Sequence, residues 1–167
     1  MITLLNKKFE LDLSLEKMEW YASKLGSDCA FFIQNKSAYA FGKGHELELI
    51  NINVRGYYLV LLNTGLHSST AMAYKNVRRR EVLDANQSLK EKIHLPVSEW
   101  KTIIENDFEY SVFQSLPLLA ELKSDLYESG ATYASMSGSG SSMFALYKTK
   151  PQLPEKLRPY VCYESIL

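Results

Sequence analysis

The sequence predicts an α+β fold, a ferredoxin-like (split βαβ) sheet with helices on one face, and three observations carry that prediction. From about Gly56 onward the elements read strand, helices, strand, strand, helix, strand. Tyr57–Leu62 is a continuous apolar run of strand length, the pattern of a strand buried on both faces. Ala131–Met136 and Met143–Tyr147 are two further short strand patterns, joined by a run of serine and glycine.

Ahead of that sheet, Ile2, Leu5 and Phe9 recur at helical spacing with no capping residue before them. Ser14 caps a second helix, with Glu16 in its first turn and Leu15, Met18, Ala22 and Leu25 on one face; Gly26 ends it. Asp28–Ile33 is short, apolar and compact. Ser37–Phe41 and Glu46–Ile50 read as strands joined by Gly42-Lys43-Gly44-His45, and the alternation from Glu46 to Leu49 leaves one face wet. After the central strand, the hydroxyls of Ser68, Ser69 and Thr70 suit the start of a helix that runs to about Val77. Arg78–Pro96 is the most polar stretch, a surface excursion with short helical pieces. Trp100, Ile103 and Ile104 open a helical pattern that breaks near Asn106-Asp107. Leu118, Leu122 and Leu126 mark a helix entered at Ser115, with Pro117 in its first turn and Ser129-Gly130 at its end. A short helix after Pro151 and a strand near Tyr160–Tyr163 close the chain.

Composition narrows the function classes. The 167 residues are 46% hydrophobic and 23% charged, a globular balance. Lys+Arg and Asp+Glu stand at 19 each, so net charge is zero and no nucleic-acid partner is expected. No run approaches the ~18 apolar residues of a membrane span. The N-terminus lacks the charged-then-apolar order of a signal peptide. Cys29 and Cys162 match no zinc or CxxC spacing, and His45, His67 and His94 share no ligand spacing, so no metal site is expected. The corresponding expectation is a cytoplasmic protein with no membrane partner.

Three segments have the residue types for chemistry. Ser137, Gly138, Ser139, Gly140, Ser141 and Ser142 lie between two strands, where alternating Gly and Ser either make a plain turn or aim successive N–H groups into a nest for an anion. No GxxxxGK[ST] phosphate loop occurs. Asp28 follows a helix stop and precedes an apolar run, a place for a carboxylate that orients or deprotonates a substrate hydroxyl, or for a helix cap. Ser69 and Thr70 sit at a strand-to-helix junction, offering hydroxyls to a ligand or only to the helix end. Tyr74, one turn on, either stacks on a planar base or belongs to the core. Arg78-Arg79-Arg80 reads as solvated surface, and Lys43 and His45 as a polar turn with reach to a phosphate.

Three of these stretches occur in an order that resembles the GHMP-family small-molecule kinases. Leu25-Gly26-Ser27-Asp28 resembles the segment that carries the family's catalytic aspartate. Asn106-Asp107-Phe108-Glu109 resembles its NDxE motif, and Met136–Phe144 its third glycine-rich motif. The hairpin Ala38–Glu46 and the stretch Asn63–Tyr74 are similar to the members whose substrate is a small cytidyl-diphosphate-linked alcohol. The resemblance implies ATP and Mg²⁺ as cofactors, Asp28 as catalytic residue, and Thr70, Tyr74 and Ser69 as substrate-binding residues. It also implies Ser137–Ser142 as a phosphate loop. Homoserine- or mevalonate-type members, or a non-catalytic ferredoxin-like ligand-binding module, are the alternatives. The family's upstream glycine-rich ATP loop and its lysine are not found here. Residues 1–50 are accordingly expected to be a remnant of an N-terminal domain and 51–167 the C-terminal domain. The expected consequences are a chain without kinase activity by itself and a homodimer through apolar surface that the missing part would cover.

Overall fold

The computed structural model describes residues 1–26, 28–42, 44, 46–77 and 88–167, in two units, Met1–Ile52 and Asn53–Leu167. Local signals build the first unit. Helix α1 (Ile2–Lys8) starts at Met1 without a side-chain cap. Helix α2 (Leu15–Leu25) is capped by Ser14, whose Oγ accepts the Lys17 N–H at 3.2 Å. Helix α3 (Phe31–Gln34) is one turn where the sequence suggests only a compact apolar segment; Asn35 ends it at φ 52. Strands β1 (Ala38–Phe41) and β2 (Glu46–Leu49) pair antiparallel, Ala38 opposite Leu49.

The second unit contains β3 (Tyr58–Asn63), α4 (Thr70–Asn76), α5 (Leu89–Lys92), α6 (Val97–Ile103), α7 (Glu109–Ser115), α8 (Pro117–Glu128), β4 (Tyr133–Met136), β5 (Ser142–Tyr147) and β6 (Val161–Ile166). Its sheet runs β4-β5-β3-β6, and every neighbouring pair is antiparallel. This is the ferredoxin-like order, because β3 and β5 take the centre and the second and fourth strands of the unit take the edges. The register sets Val60 opposite Ala145, Leu62 opposite Met143 and Met136 opposite Met143, so one face is an unbroken apolar row. Leu119, Leu122 and Leu126 of α8 pack on it with Leu157 and are shut away from solvent. Full burial of each such leucine contributes about 1.5–3 kcal/mol.

Several expectations need correction. Strand β3 is buried on one face only: Val60 and Leu62 meet the helices, whereas Leu59 and Leu61 remain half-buried. A second helix, α7, follows the break at Asn106-Asp107, because Asn106 Oδ1 accepts the Phe108 N–H at 3.0 Å and restarts the helix. Leu116, extended before Pro117, separates α7 from α8. The strand expected from Ala131 begins at Tyr133. No α-helix follows Pro151: the segment makes a turn and a 3₁₀ turn, Arg158–Tyr160, since Pro154 and Pro159 both lack the donor a helix needs. The last strand runs on from Val161 to Ile166. The Arg78–Arg80 cluster, Lys43, His45 and Ser27 lie outside the described residues. Among the described residues, no helix is long and apolar enough to cross a membrane.

Candidate functional site

The Ser-Gly segment joins β4 to β5 as a tight loop, closed by Ser137 N–H donating to Ser142 O at 2.9 Å and Gly140 N–H to Ser137 O at 3.1 Å. Gly138 takes the first central position of that turn at φ +57, the left-handed value that a primed hairpin turn requires there. Gly140 sits at φ +92, and a Cβ on it would come within 2.9 Å of Met136 Sδ and 3.3 Å of Ser68 Oγ. Both glycines are thus forced by geometry, one by the turn and one by the turn and its neighbours. The N–H groups of Gly138, Ser139 and Ser141 have no acceptor among the described residues. The loop therefore presents free donors, the chemistry that suits an anion.

The strand-to-helix junction at 66–70 is stitched to this loop. Ser68 Oγ donates to Ser139 O at 2.7 Å, Thr70 Oγ1 and Ser139 Oγ share a hydrogen bond at 3.1 Å, and Ser141 Oγ donates to Leu66 O. Two segments about seventy residues apart in sequence so become one surface. Ser69 points elsewhere, and its Oγ accepts the Met72 N–H at 3.4 Å to cap α4. Tyr74 is not a core residue. It is 62% exposed and meets Phe108 edge-on, ring centroids 4.8 Å apart, because α4 turns Ala73 to the core instead. Tyr74, Phe108 and Tyr133, with Asn106 and Ser135, line a cleft of about 490 Å³.

Asn106 and Glu109 tie this cleft to the loop. Asn106 Nδ2 donates to Met136 O and to Gly138 O, both at 2.8 Å. The Glu109 carboxylate accepts the Met136 N–H at 2.8 Å and the Ser135 hydroxyl at 3.2 Å, and pairs with Lys123 Nζ at 2.5 Å. Sequence reading finds the Asn-Asp-Phe-Glu motif by resemblance but assigns it no role. The only local signal is a helical pattern that breaks at two polar residues; the burial of Glu109, 7% exposed, is invisible in one dimension. Nearby, burial pushes the Tyr133 hydroxyl up to about 12, and it raises Tyr127, with the Glu109 charge adding to the rise.

Asp28 lies in the first unit, in the exposed turn before α3. The residue at the start of α3 is Ala30 and no side chain caps that helix, so the capping alternative for Asp28 fails there. Among the described residues its carboxylate has no hydrogen-bond or ion-pair partner. Also among them, no group of three His, Cys, Asp or Glu side chains converges to hold a metal ion. The structure thus joins Thr70 to the Ser-Gly loop, sets Tyr74 one turn away on the same unit, and leaves Asp28 on the other.

Comparison with known proteins follows the same lines. Residues 89–161 match the family described as GHMP kinases C terminal. The 4-diphosphocytidyl-2-C-methyl-D-erythritol kinase of Bacteroides thetaiotaomicron is 44% identical over 155 residues, covering 93% of this chain and 56% of that protein. The enzyme of the same name from Bacteroides fragilis is 46% identical over 153 residues, covering 92% of this chain and 55% of that protein. The chain spans about half the length of the curated relatives it matches. A crystal structure of 4-(cytidine 5'-diphospho)-2C-methyl-D-erythritol kinase superposes with a TM-score of 0.75 at 23% identity, over 97% of this chain and 60% of that one. A homoserine kinase from Cytophaga hutchinsonii superposes with a TM-score of 0.61 at 15% identity, over 87% of this chain and 52% of that one. These two likenesses bear on the fold, and the Asn-Asp-Phe-Glu segment, β4, the Ser-Gly loop and β5 lie within the residues of the family match. Residues 89–161 thus match the C-terminal domain of the GHMP kinases, and most of the chain is similar to part of the kinases named above.

Proposed function

We propose that the chain provides the acceptor side of an ATP-dependent phosphotransferase. Its substrate is 4-diphosphocytidyl-2-C-methyl-D-erythritol, phosphorylated on the 2-hydroxyl in non-mevalonate isoprenoid precursor synthesis, in the cytoplasm. The observation that carries the reading is the 3.1 Å contact between Thr70 and Ser139. It puts a substrate-side hydroxyl against a loop of free N–H donors, with an exposed aromatic face one turn further on. Tyr74 is the stacking partner of the cytosine, and Thr70 hydrogen-bonds the substrate. Ser69 donates its hydroxyl proton to the substrate while its Oγ still accepts the Met72 N–H. The free amides of Gly138, Ser139 and Ser141 in the Ser137–Ser142 loop take phosphate oxygens. Asp28 accepts the proton of the 2-hydroxyl as its oxygen attacks the γ-phosphorus and ADP leaves.

Hydroxyl and N–H donors fit the phosphates of ATP, whereas the described residues include no carboxylate cluster that fits Mg²⁺. The ion is accordingly assigned to the nucleotide and no step is drawn through it. Residues 1–50 are read as the end of an N-terminal domain and 51–167 as the C-terminal domain, and this chain by itself as inactive in turnover. The exposed Leu4, Phe9, Leu25 and Phe32 favour self-association, read out as a mass that rises with concentration.

The test is calorimetric. Cytidine diphosphate is expected to bind this chain more tightly than uridine or adenosine diphosphate, and Tyr74→Ala to weaken it by the ~1–3 kcal/mol of one stacked base. Equal binding of the three nucleotides, or no effect of Tyr74→Ala, would refute the substrate assignment.

A further inference from the structure

Strand β4 is an edge strand, so its outer N–H and C=O groups have no neighbouring strand to pair with. Side chains of other elements take that place. The Tyr127 hydroxyl lies 3.1 Å from both the N–H and the C=O of Ala134, donating to the carbonyl and accepting from the amide. Two residues on, the N–H of Met136 goes to Glu109 and its C=O to Asn106. The second hydrogen of the Asn106 amide reaches past the strand end to the Gly138 carbonyl at 2.8 Å. Asn106 thus holds the last strand residue and the first turn residue of the loop at once, while its Oδ1 accepts the Phe108 N–H ahead of α7. All three hydrogen-bonding positions that this side chain uses are matched to one loop geometry.

We propose that Asn106 and Glu109 are positioning residues for the Ser-Gly loop: together they fix the peptide planes between Met136 and Gly138, and through them the directions of the free Gly138, Ser139 and Ser141 N–H groups. Lys123 completes the device by neutralising the Glu109 carboxylate where it is buried. The inference rests on the reading of the loop as a phosphate-binding element only for its consequence, since the clamp itself is a matter of loop geometry.

Asn106→Asp separates the donor and acceptor roles of the side chain. It keeps an acceptor for the Phe108 N–H and replaces the donor aimed at Met136 O and Gly138 O with a repelling oxygen. Amide NMR of the 167-residue chain is expected to show large shifts at Gly138–Ser141. Their order parameters should fall from the rigid range near ~0.85 toward ~0.6 or below, while the Phe108 and Val112 amides keep their exchange protection. Glu109→Gln, which keeps an acceptor for Met136 N–H, is expected to disturb the loop less. Loop amides unchanged in Asn106→Asp would overturn the proposal. Should that variant fail to fold, the wild-type chain decides through scalar couplings from Asn106 Nδ2 to the carbonyl carbons of Met136 and Gly138. Their presence supports the clamp and their absence refutes it.

Inorganic pyrophosphate serves as the anion probe. Binding to the wild-type loop that weakens about tenfold or more in Asn106→Asp supports both readings. Tight binding that survives the loosened loop refutes the positioning role. No pyrophosphate binding by the wild-type chain, with the clamp intact by NMR, refutes the phosphate-loop reading alone.

Discussion

The two units differ in what fixes their side chains. In Met1–Ile52 the buried apolar side chains among the described residues are the small ones of Ala22 and Ala30, while Leu4, Phe9, Leu25 and Phe32 face solvent. Trp20 is 50% exposed, with the ammonium groups of Lys17 and Lys24 over its ring at 4.8 and 5.1 Å. In Asn53–Leu167, Leu62, Leu119 and Leu126 are fully buried, and the side chains of Ser68, Thr70 and Asn106 grip one short loop, whose own Ser141 hydroxyl bonds outward to Leu66. Helices and a hairpin arise in both units from caps and patterning. A constellation held to hydrogen-bond distance from several elements arises only where a packed core makes those elements rigid relative to one another.

The largest expected contrast is a pair of truncations. Leu126→Ala empties a fully buried site and is expected to destabilise the second unit by about 2–5 kcal/mol. Leu4→Ala, at a residue 71% exposed, is expected to stay within ~0.5 kcal/mol. Denaturant titration of both variants measures the difference, and comparable losses would erase the distinction between the units.

The glycines of the loop sharpen it further. Gly140→Ala combines a left-handed backbone with a Cβ placed 2.9 Å from Met136 Sδ, whereas a Cβ on Gly138 meets nothing within 4 Å. The backbone conformation alone costs about 1–3 kcal/mol at either position. Gly140→Ala should therefore cost measurably more than Gly138→Ala. Equal losses would mean that the crowding at Ser68 and Met136 plays no part in shaping the loop.

A third effect is set by pH. Burial holds the Tyr133 hydroxyl at about 12, above the value near 10 that it has in an unfolded chain. Between those values the unfolded chain has lost the proton and the folded one keeps it, so stability falls as pH rises, by about 1.4 kcal/mol per pH unit at most. The contribution is complete below pH ~10 and lost through about 12, with Tyr127 and Tyr147 shifted in the same direction. Tyr133→Phe should flatten the slope of stability against pH in that window. An unchanged slope would place the titrating groups elsewhere.

Much of the fold was legible because its signals are local. Ser14 and Gly26 bound α2, Pro117 and Gly130 bracket α8, and the order of strands and helices after Gly56 led to the right sheet. What escaped was decided at a distance. The one-sided burial of β3 depends on which face the helices cover, and α7 exists because Asn106 restarts the helix across a break in the pattern. The Ser-Gly loop and the Ser69–Thr70 junction were both conspicuous, yet each alone supported a plain turn or a plain cap. Ser69 is such a cap, while Thr70 bonds across the fold to Ser139.

By itself the sequence determined the kinds of element, their order, and the residue types available for chemistry, since capping, turn and periodicity preferences act within a few residues. Only the tertiary structure decided which polar groups became partners. Glu109 and Asn106 are ordinary helix-flanking residues in one dimension. They become the clamp of the loop because α7 packs on α8 and α8 on β4, which brings them to the open edge of that strand, where buried N–H and C=O groups must find partners.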